Sequence, residues 1–218
     1  MILLMGLYFT SEDTTVKKSI FVVMVGVLLS FIWGNSVLAD ELNYSAFIIG
    51  QYAGLYTFVT IDSDSMNPTL ESGDDVAIQL MAEDSDAPER GDVIMYKTPL
   101  DVARGEDTYY IHRIIGLSGE TVEIKDGAVH INGEKLEEDY INGTWVVAND
   151  GYTFEVPEDH YLVLGDNRNN SSDSRYWADI ALRERVVDNV DDAISYSYVD
   201  GDQIYGKVIS KIVFEPVK

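Results

Sequence analysis

The chain contains no cysteine. Disulfides, thiolate nucleophiles and cysteine-ligated metals are therefore excluded, and cysteine usage says nothing about redox compartment. Positive charge is scarce: 15 lysines and arginines stand against 38 aspartates and glutamates, a formal net charge of −23. A surface that negative repels phosphate backbones, so nucleic acid is not expected as a partner. It also opposes an anionic bilayer surface, so any membrane attachment has to come from apolar burial. A high-salt habitat, where screening removes the self-repulsion, is one expectation this balance raises. There is no internal repeat. The candidate serine also lacks a Gly-x-Ser-x-Gly setting, which excludes the α/β-hydrolase elbow.

What is present is enough for a packed domain. Hydrophobic residues make up 46% of the 218, ordinary for a globular chain of one sizeable domain plus an anchor, or of two small domains. Ser19 to Ala39 reads SIFVVMVGVLLSFIWGNSVLA and carries no charge. About 20 apolar residues cross a bilayer core as a helix. Lys17 and Lys18 precede the run, while Asp40 and Glu41 follow it. The lysine pair predicts a cytoplasmic residue 1–18 segment, an anchor over 19–39, and everything from 40 to 218 on the outer face of the cell membrane. Trp33 fits the outer interface. A second reading stays open. Val37-Leu38-Ala39 has the small residues of a secretory cleavage site, so the run could be a removable leader. Met1 to Phe9 is too short to span, and Leu42 to Ile61, broken by Asn43, Gln51 and two glycines, reads as a surface stretch leading into a strand.

Beyond residue 55 the strand signals dominate: short β-branched and aromatic runs separated by turn residues. Strands are predicted at 56–61, 75–80, 92–97, 109–116, 121–124, 128–131, 152–156, 161–164 and 204–214. Asp126-Gly127 and Asn132-Gly133 are hairpin dipeptides, and they suggest a β-ribbon over about 117–150 inserted into the main sheet. The segments 82–90 and 105–108 read as acidic loops, and 179–198 as a short helix in an acidic stretch. The fold class is mainly β with one N-terminal helix.

Three segments carry candidate chemistry. Asp62-Ser63-Asp64-Ser65-Met66-Asn67-Pro68 follows a strand. Such a turn can hold the Ser65 hydroxyl at fixed height over a sheet, or be an ordinary polar turn. Tyr109 to Gly116 is an apolar strand with one histidine, and Tyr110, His112 and Ile114 share a face. An imidazole accepts a proton near neutral pH without special tuning, although a hydrogen-bonded core histidine would look the same. His130 and His160 read as solvated. Leu164 to Arg175 leaves a strand for a dense polar loop. It offers Asp166 and Asp173 to orient an imidazole and Arg168 and Arg175 to pair with them. Asn169-Asn170-Ser171 and Asn142-Gly143-Thr144 also match the glycosylation acceptor pattern.

In order, SDSMNPTL, RGDVIMYKTP, YIHRIIGLSGE, DGAVHINGEKL and VPEDHYLVLGDNRNNSSDSRYW resemble the type I signal peptidase family over about residues 57–178. The resemblance implies a membrane-bound serine endopeptidase that removes signal peptides from exported precursors, needs no cofactor or metal, and works beside the lipid bilayer and the secretion translocon. It makes Ser65 the nucleophile. Bacterial members carry a lysine where this chain has His112, whereas archaeal and endoplasmic-reticulum members carry a histidine. The chain thus combines a bacterial-looking Gly-Asp-Asn-Arg loop with a histidine-type base. A lysine base would have to lose about three pKa units, on the order of 4 kcal/mol, while a histidine needs only orientation. Lys97 is not assigned a role. Asp173 matches the third catalytic member of the histidine-type relatives. Asp166 is read as supporting the loop, Arg175 as pairing with a carboxylate, and Ser63 as a helper at the oxyanion. Gly206-Lys207 arrives late, after an acidic insertion over 179–202 read as a solvated excursion. Two alternatives remain: a maturation peptidase with a narrow client, and a tethered β domain that binds extended peptides without chemistry.

Overall fold

The computed structural model describes residues 55–82, 85–141, 143–145 and 151–212. The anchor expected over 19–39 lies outside them.

Eleven strands are formed among the described residues: β1 (Tyr56–Thr60), β2 (Asp75–Leu80), β3 (Val93–Tyr96), β4 (Tyr110–Gly116), β5 (Thr121–Lys125), β6 (Ala128–Ile131), β7 (Glu134–Lys135), β8 (Tyr152–Glu155), β9 (His160–Leu164), β10 (Val199–Asp200) and β11 (Ile204–Ile212). Helices α1 (Pro99–Arg104), α2 (Ser174–Arg183) and α3 (Val190–Ile194) accompany them. The mainly β expectation holds. One sheet of seven strands runs β1-β2-β11-β3-β4-β9-β10, and a second of four runs β7-β6-β5-β8. The ladders from β2 through β11, β3, β4 and β9 to β10 are all antiparallel.

Strands β5, β6 and β7 fall within the span where a ribbon is expected, and β8 joins their edge. Asp126 and Asn132 hold positive φ ahead of Gly127 and Gly133, as two-residue hairpin turns require.

Residue alternation explains how the sheets divide the core. In β3, Val93 and Met95 join a cluster with Ile61, Met66, Leu70, Val76 and Ile78. Ile94 and Tyr96 face the other way, to Ile114, Val163, Trp177 and Ala181. A strand buried on both faces reads as a continuous apolar run, which VIMY is. A third cluster, with Val122, Ile124, Phe154, Leu162 and Leu164, fills the ribbon side.

Helix α1 was not expected from the sequence, and α2 begins ahead of the short helix expected within 179–198. In α1, Thr98 caps the N-terminus by accepting from the Asp101 amide, Pro99 sits in the first turn, and Gly105 closes the helix in the left-handed region. In α2, Asp173 is the cap, so the polar loop turns straight into a helix. The acidic stretch that follows is not wholly solvated: Ala181, Ala193, Tyr198 and Val199 are buried, and they fasten it to the sheet while its carboxylates face outward.

Candidate active site

Ser65 lies in the turn after β1. Ile61 bonds across to Asp74 and Gly73, both at 2.8 Å, closing the loop at its base. Met66 and Leu70 are buried on either side of the cis Asn67–Pro68 bond, so apolar burial pins the turn from below and leaves Ser65 half-buried above. The Ser65 hydroxyl is 3.2 Å from that of Ser63.

The polar loop is tied directly onto this turn. The Asn167 amide donates to the Ser65 carbonyl at 2.9 Å, and Asn167 Nδ2 donates to the Asp64 carbonyl at 3.0 Å. Gly165 makes the approach possible. A Cβ there would lie 2.5 Å from the Ser65 carbonyl oxygen and would land on the Ser171 hydroxyl. Gly165→Ala is therefore expected to push the loop off the serine turn. The expected cost is about 1–3 kcal/mol of stability, read by thermal unfolding, with a larger loss of turnover than its melting temperature explains. Wild-type turnover in that variant would contradict the packing.

His112 comes from the middle of β4 and is buried. Its Nε2 is 3.3 Å from Ser171 Oγ and its Nδ1 is 2.7 Å from the Tyr96 hydroxyl. Through Ser171 and Gly165 the imidazole belongs to the same patch as Ser65. However, no direct hydrogen bond joins His112 to Ser65 among the described residues. Burial is the main cause that brings the His112 pKa down to about 4, with the Asp173 charge opposing it, Arg175 adding to it and Asp166 opposing it. The imidazole is thus neutral at pH 7.

The two candidate carboxylates are both committed to arginines. Asp173 takes both arms of Arg175 at 2.7 Å, accepts the Gly165 amide at 3.0 Å and caps α2. Burial pushes its carboxyl up, but the bonds and charge of Arg175, with the His112 charge and the Gly165 amide, hold it below the usual range. Asp166 takes Arg113 at 2.8 and 2.6 Å and Thr69 Oγ1 at 2.5 Å, joining the loop to β4 and to the serine turn. Arg168 binds Glu138 of the ribbon and donates to the Gly165 carbonyl at 3.0 Å, and Arg175 Nη1 donates to the Arg168 carbonyl at 2.9 Å. The loop is a lattice of charged pairs, each closing a hydrogen bond that burial would otherwise leave open.

Lys97 stands at the end of β3 in an ion pair with Asp107 at 2.6 Å. His160 Nδ1 meets the Glu158 carbonyl at 2.7 Å, and His130 lies in β6 opposite Glu123 and Lys135. Three contributors escaped sequence reasoning. Tyr96 looked like strand filling, Arg113 like a neighbour of the histidine, and Ser171 like part of a glycosylation triplet. Only the place of Arg113 beside His112 and of Ser171 two residues before Asp173 hinted at these two.

Residues 42–212 match the family model described as signal peptidase, peptidase S26. A probable signal peptidase I-2 of Synechocystis sp. is 40% identical over 143 residues, covering 62% of this chain and 62% of that one. That match spans less than two thirds of the relative's own length. The signal peptidase I of Leptolyngbya laminosa is 41% identical over 145 residues, covering 62% of this chain and 68% of the other. For the signal peptidase I S of Bacillus subtilis the identity is 33% over 190 residues, covering 81% of this chain and 90% of the relative. A serine turn, a buried imidazole and an arginine-laced loop meeting on one β scaffold, with the family match running across all three, lead to one conclusion: the chain belongs to the signal peptidase family, peptidase S26.

Proposed function

We propose that the protein is a serine endopeptidase that removes signal peptides from exported precursors, with Ser65 as nucleophile and His112 as general base. Besides the family match, the reading is supported most by the meeting at Gly165. There the Ser65 carbonyl and the Ser171 hydroxyl share the space a side chain would fill, and Ser171 in turn touches Nε2 of His112 at 3.3 Å.

The mechanism follows from those groups. The mechanism requires the Ser65 side chain to turn from Ser63 and bring its hydroxyl to Nε2, a tightening common once substrate is bound. His112 takes the hydroxyl proton as Ser65 Oγ bonds to the scissile carbonyl carbon. The Ser65 amide and the Ser63 hydroxyl receive the oxyanion. Nε2 then returns the proton to the leaving amine as the C–N bond breaks, and water hydrolyses the acyl-enzyme with His112 again as base. Forming a buried imidazolium some two and a half units below the ordinary histidine value costs about 3 kcal/mol. The attraction of Asp173 is already part of that value, and the nearby oxyanion offsets the remainder as it forms. Asp166, Arg113 and Arg175 keep the loop in place. The charge-free run over 19–39 would hold the enzyme on the membrane beside its tethered substrate, with residues 1–18 cytoplasmic, the bilayer and translocon as neighbours, and effective concentration raised by confinement.

The purified full chain, incubated with a secretory precursor and read by mass spectrometry, should yield a single cut after a small residue. The acid limb of kcat/KM should fall near pH 4 rather than 6.5, because Nε2 is the group that must be unprotonated in the free enzyme. An uncut precursor would end the peptidase reading. An acid limb at 6.5 would show that burial does not depress the essential imidazole, and the absence of any acid limb in the histidine range would remove His112 from the base role.

A further inference from the structure

We infer that Tyr96 is the positioning residue of the general base: its hydroxyl oxygen accepts a hydrogen bond from Nδ1–H of His112, which leaves Nε2 unprotonated as the acceptor for the Ser65 proton. The inference rests on the proposed role of His112 and assigns the orienting hydrogen bond to a phenol instead of a carboxylate.

The geometry comes from the sheet. In the β3–β4 ladder, Ile94 is paired with His112 and Tyr96 with Tyr110. Tyr96 and His112 are therefore diagonal neighbours on one face, a spacing that aromatic side chains can bridge. The phenol oxygen lies 2.7 Å from Nδ1, and both side chains are buried. The Tyr96 ring is wedged between Trp177 at 6.0 Å and Tyr110 at 6.4 Å between centroids, so its hydroxyl has a fixed place.

The carboxylate that could have played this part is already engaged. Asp173 spends its oxygens on two arms of Arg175 and on the Gly165 amide. It acts on His112 and on Tyr96 through its charge. The charged and titratable groups around the imidazole are Asp173, Arg175 and Asp166 from the loop, Tyr96 from β3, and the Ser171 hydroxyl.

A phenol can donate or accept, and the choice decides the chemistry. If it donated to Nδ1, the proton of neutral His112 would sit on Nε2, and nothing could be taken from Ser65. A buried carboxylate draws the phenol O–H dipole toward itself. That turns a lone pair to the imidazole and selects Nδ1–H. Burial and the Asp173 charge also raise the phenol's pKa well above its ordinary value, so it stays neutral throughout. In turnover the moving proton goes from Ser65 Oγ to Nε2 and on to the leaving nitrogen. The Nδ1 proton stays in place, and Tyr96 neither gains nor loses one.

The test is nitrogen-15 NMR of the full chain labelled in histidine, with His112→Ala to assign the signal. At pH 7, His112 should carry its proton on Nδ1. In Tyr96→Phe, which keeps the ring, the proton should move to Nε2 for a substantial fraction of molecules. There kcat should fall roughly 10²-fold with KM within about twofold, the pattern of an impaired base. Wild-type protein protonated on Nε2 overturns the inference without needing any variant to fold. So does Tyr96→Phe with the Nδ1 tautomer and normal turnover. The peptidase reading fails separately: wild type with Nδ1–H that cuts no precursor would sink that reading and leave the tautomer assignment supported.

Discussion

Ser65→Ala should lower precursor turnover by roughly 10⁴ to 10⁶-fold, His112→Ala should do nearly the same, and the double variant should be no slower than the worse of the two. In the proposed mechanism nucleophile and base act as one unit, so removing either removes the step, and the second removal has little left to take. The two differ in stability. Among the described residues the Ser65 hydroxyl bonds to Ser63 alone, at 3.2 Å, so its loss should leave melting almost unchanged. His112 is buried against Tyr96 and Ser171. Its truncation opens a cavity and orphans two hydroxyls, at a cost of about 2–4 kcal/mol. Turnover is read by mass spectrometry below each variant's melting temperature, which separates chemistry from folding. Near-normal cleavage by His112→Ala would take the imidazole out of the reaction, and strictly multiplicative losses would show that Ser65 and His112 act in different steps.

Asp173→Ala should be the most damaging single change to the fold, costing about 3–5 kcal/mol because it leaves a buried guanidinium without its counter-charge. Arg175 and Asp173 have fully buried side chains, so water cannot take the place of the lost carboxylate. The same substitution removes the cap of α2 and the acceptor of the Gly165 amide. The glycine, the serine turn and Ser171 would all loosen together. In a domain of this size the loss should lower the melting temperature by about 10 °C. Asp166→Ala should cost less, since its partner Arg113 keeps 11% exposure and a bond to the Gly91 carbonyl at 2.7 Å. A melting temperature for Asp173→Ala within two degrees of wild type would contradict this account of the loop.

Much of the architecture was legible before any coordinates. β2 and the ribbon strand β6 occupy the predicted spans, and the two turn dipeptides lie where hairpins close. Local chemistry governs those features: alternation, β-branching and a residue tolerant of positive φ. Helix α1 was missed because Thr98-Pro99 resembles the frayed end of a strand. Only the Asp101 amide arriving on the Thr98 side chain at 3.1 Å makes it a cap. Helix α2 was missed at its start because Asp173 was weighed as a partner for the histidine and not as a helix terminus.

The sequence by itself determined which side chains can do chemistry. Without cysteine there is no thiolate nucleophile, and the order of the motifs, through the family they resemble, pointed to Ser65 and His112, which taken alone also fit an ordinary polar turn and a core histidine. Those are properties of residue types and their order along the chain, and they survive in any fold. Which group each candidate touches was decided by tertiary structure alone. Gly165 lets two distant segments meet because it lacks a Cβ. Asp173 goes to Arg175 because a buried charge cannot remain unpaired. Tyr96 reaches Nδ1 because the β3–β4 register places it on the diagonal. Each outcome depends on segments far apart in the chain competing for the same buried hydrogen bonds, and no local pattern in the sequence encodes who wins.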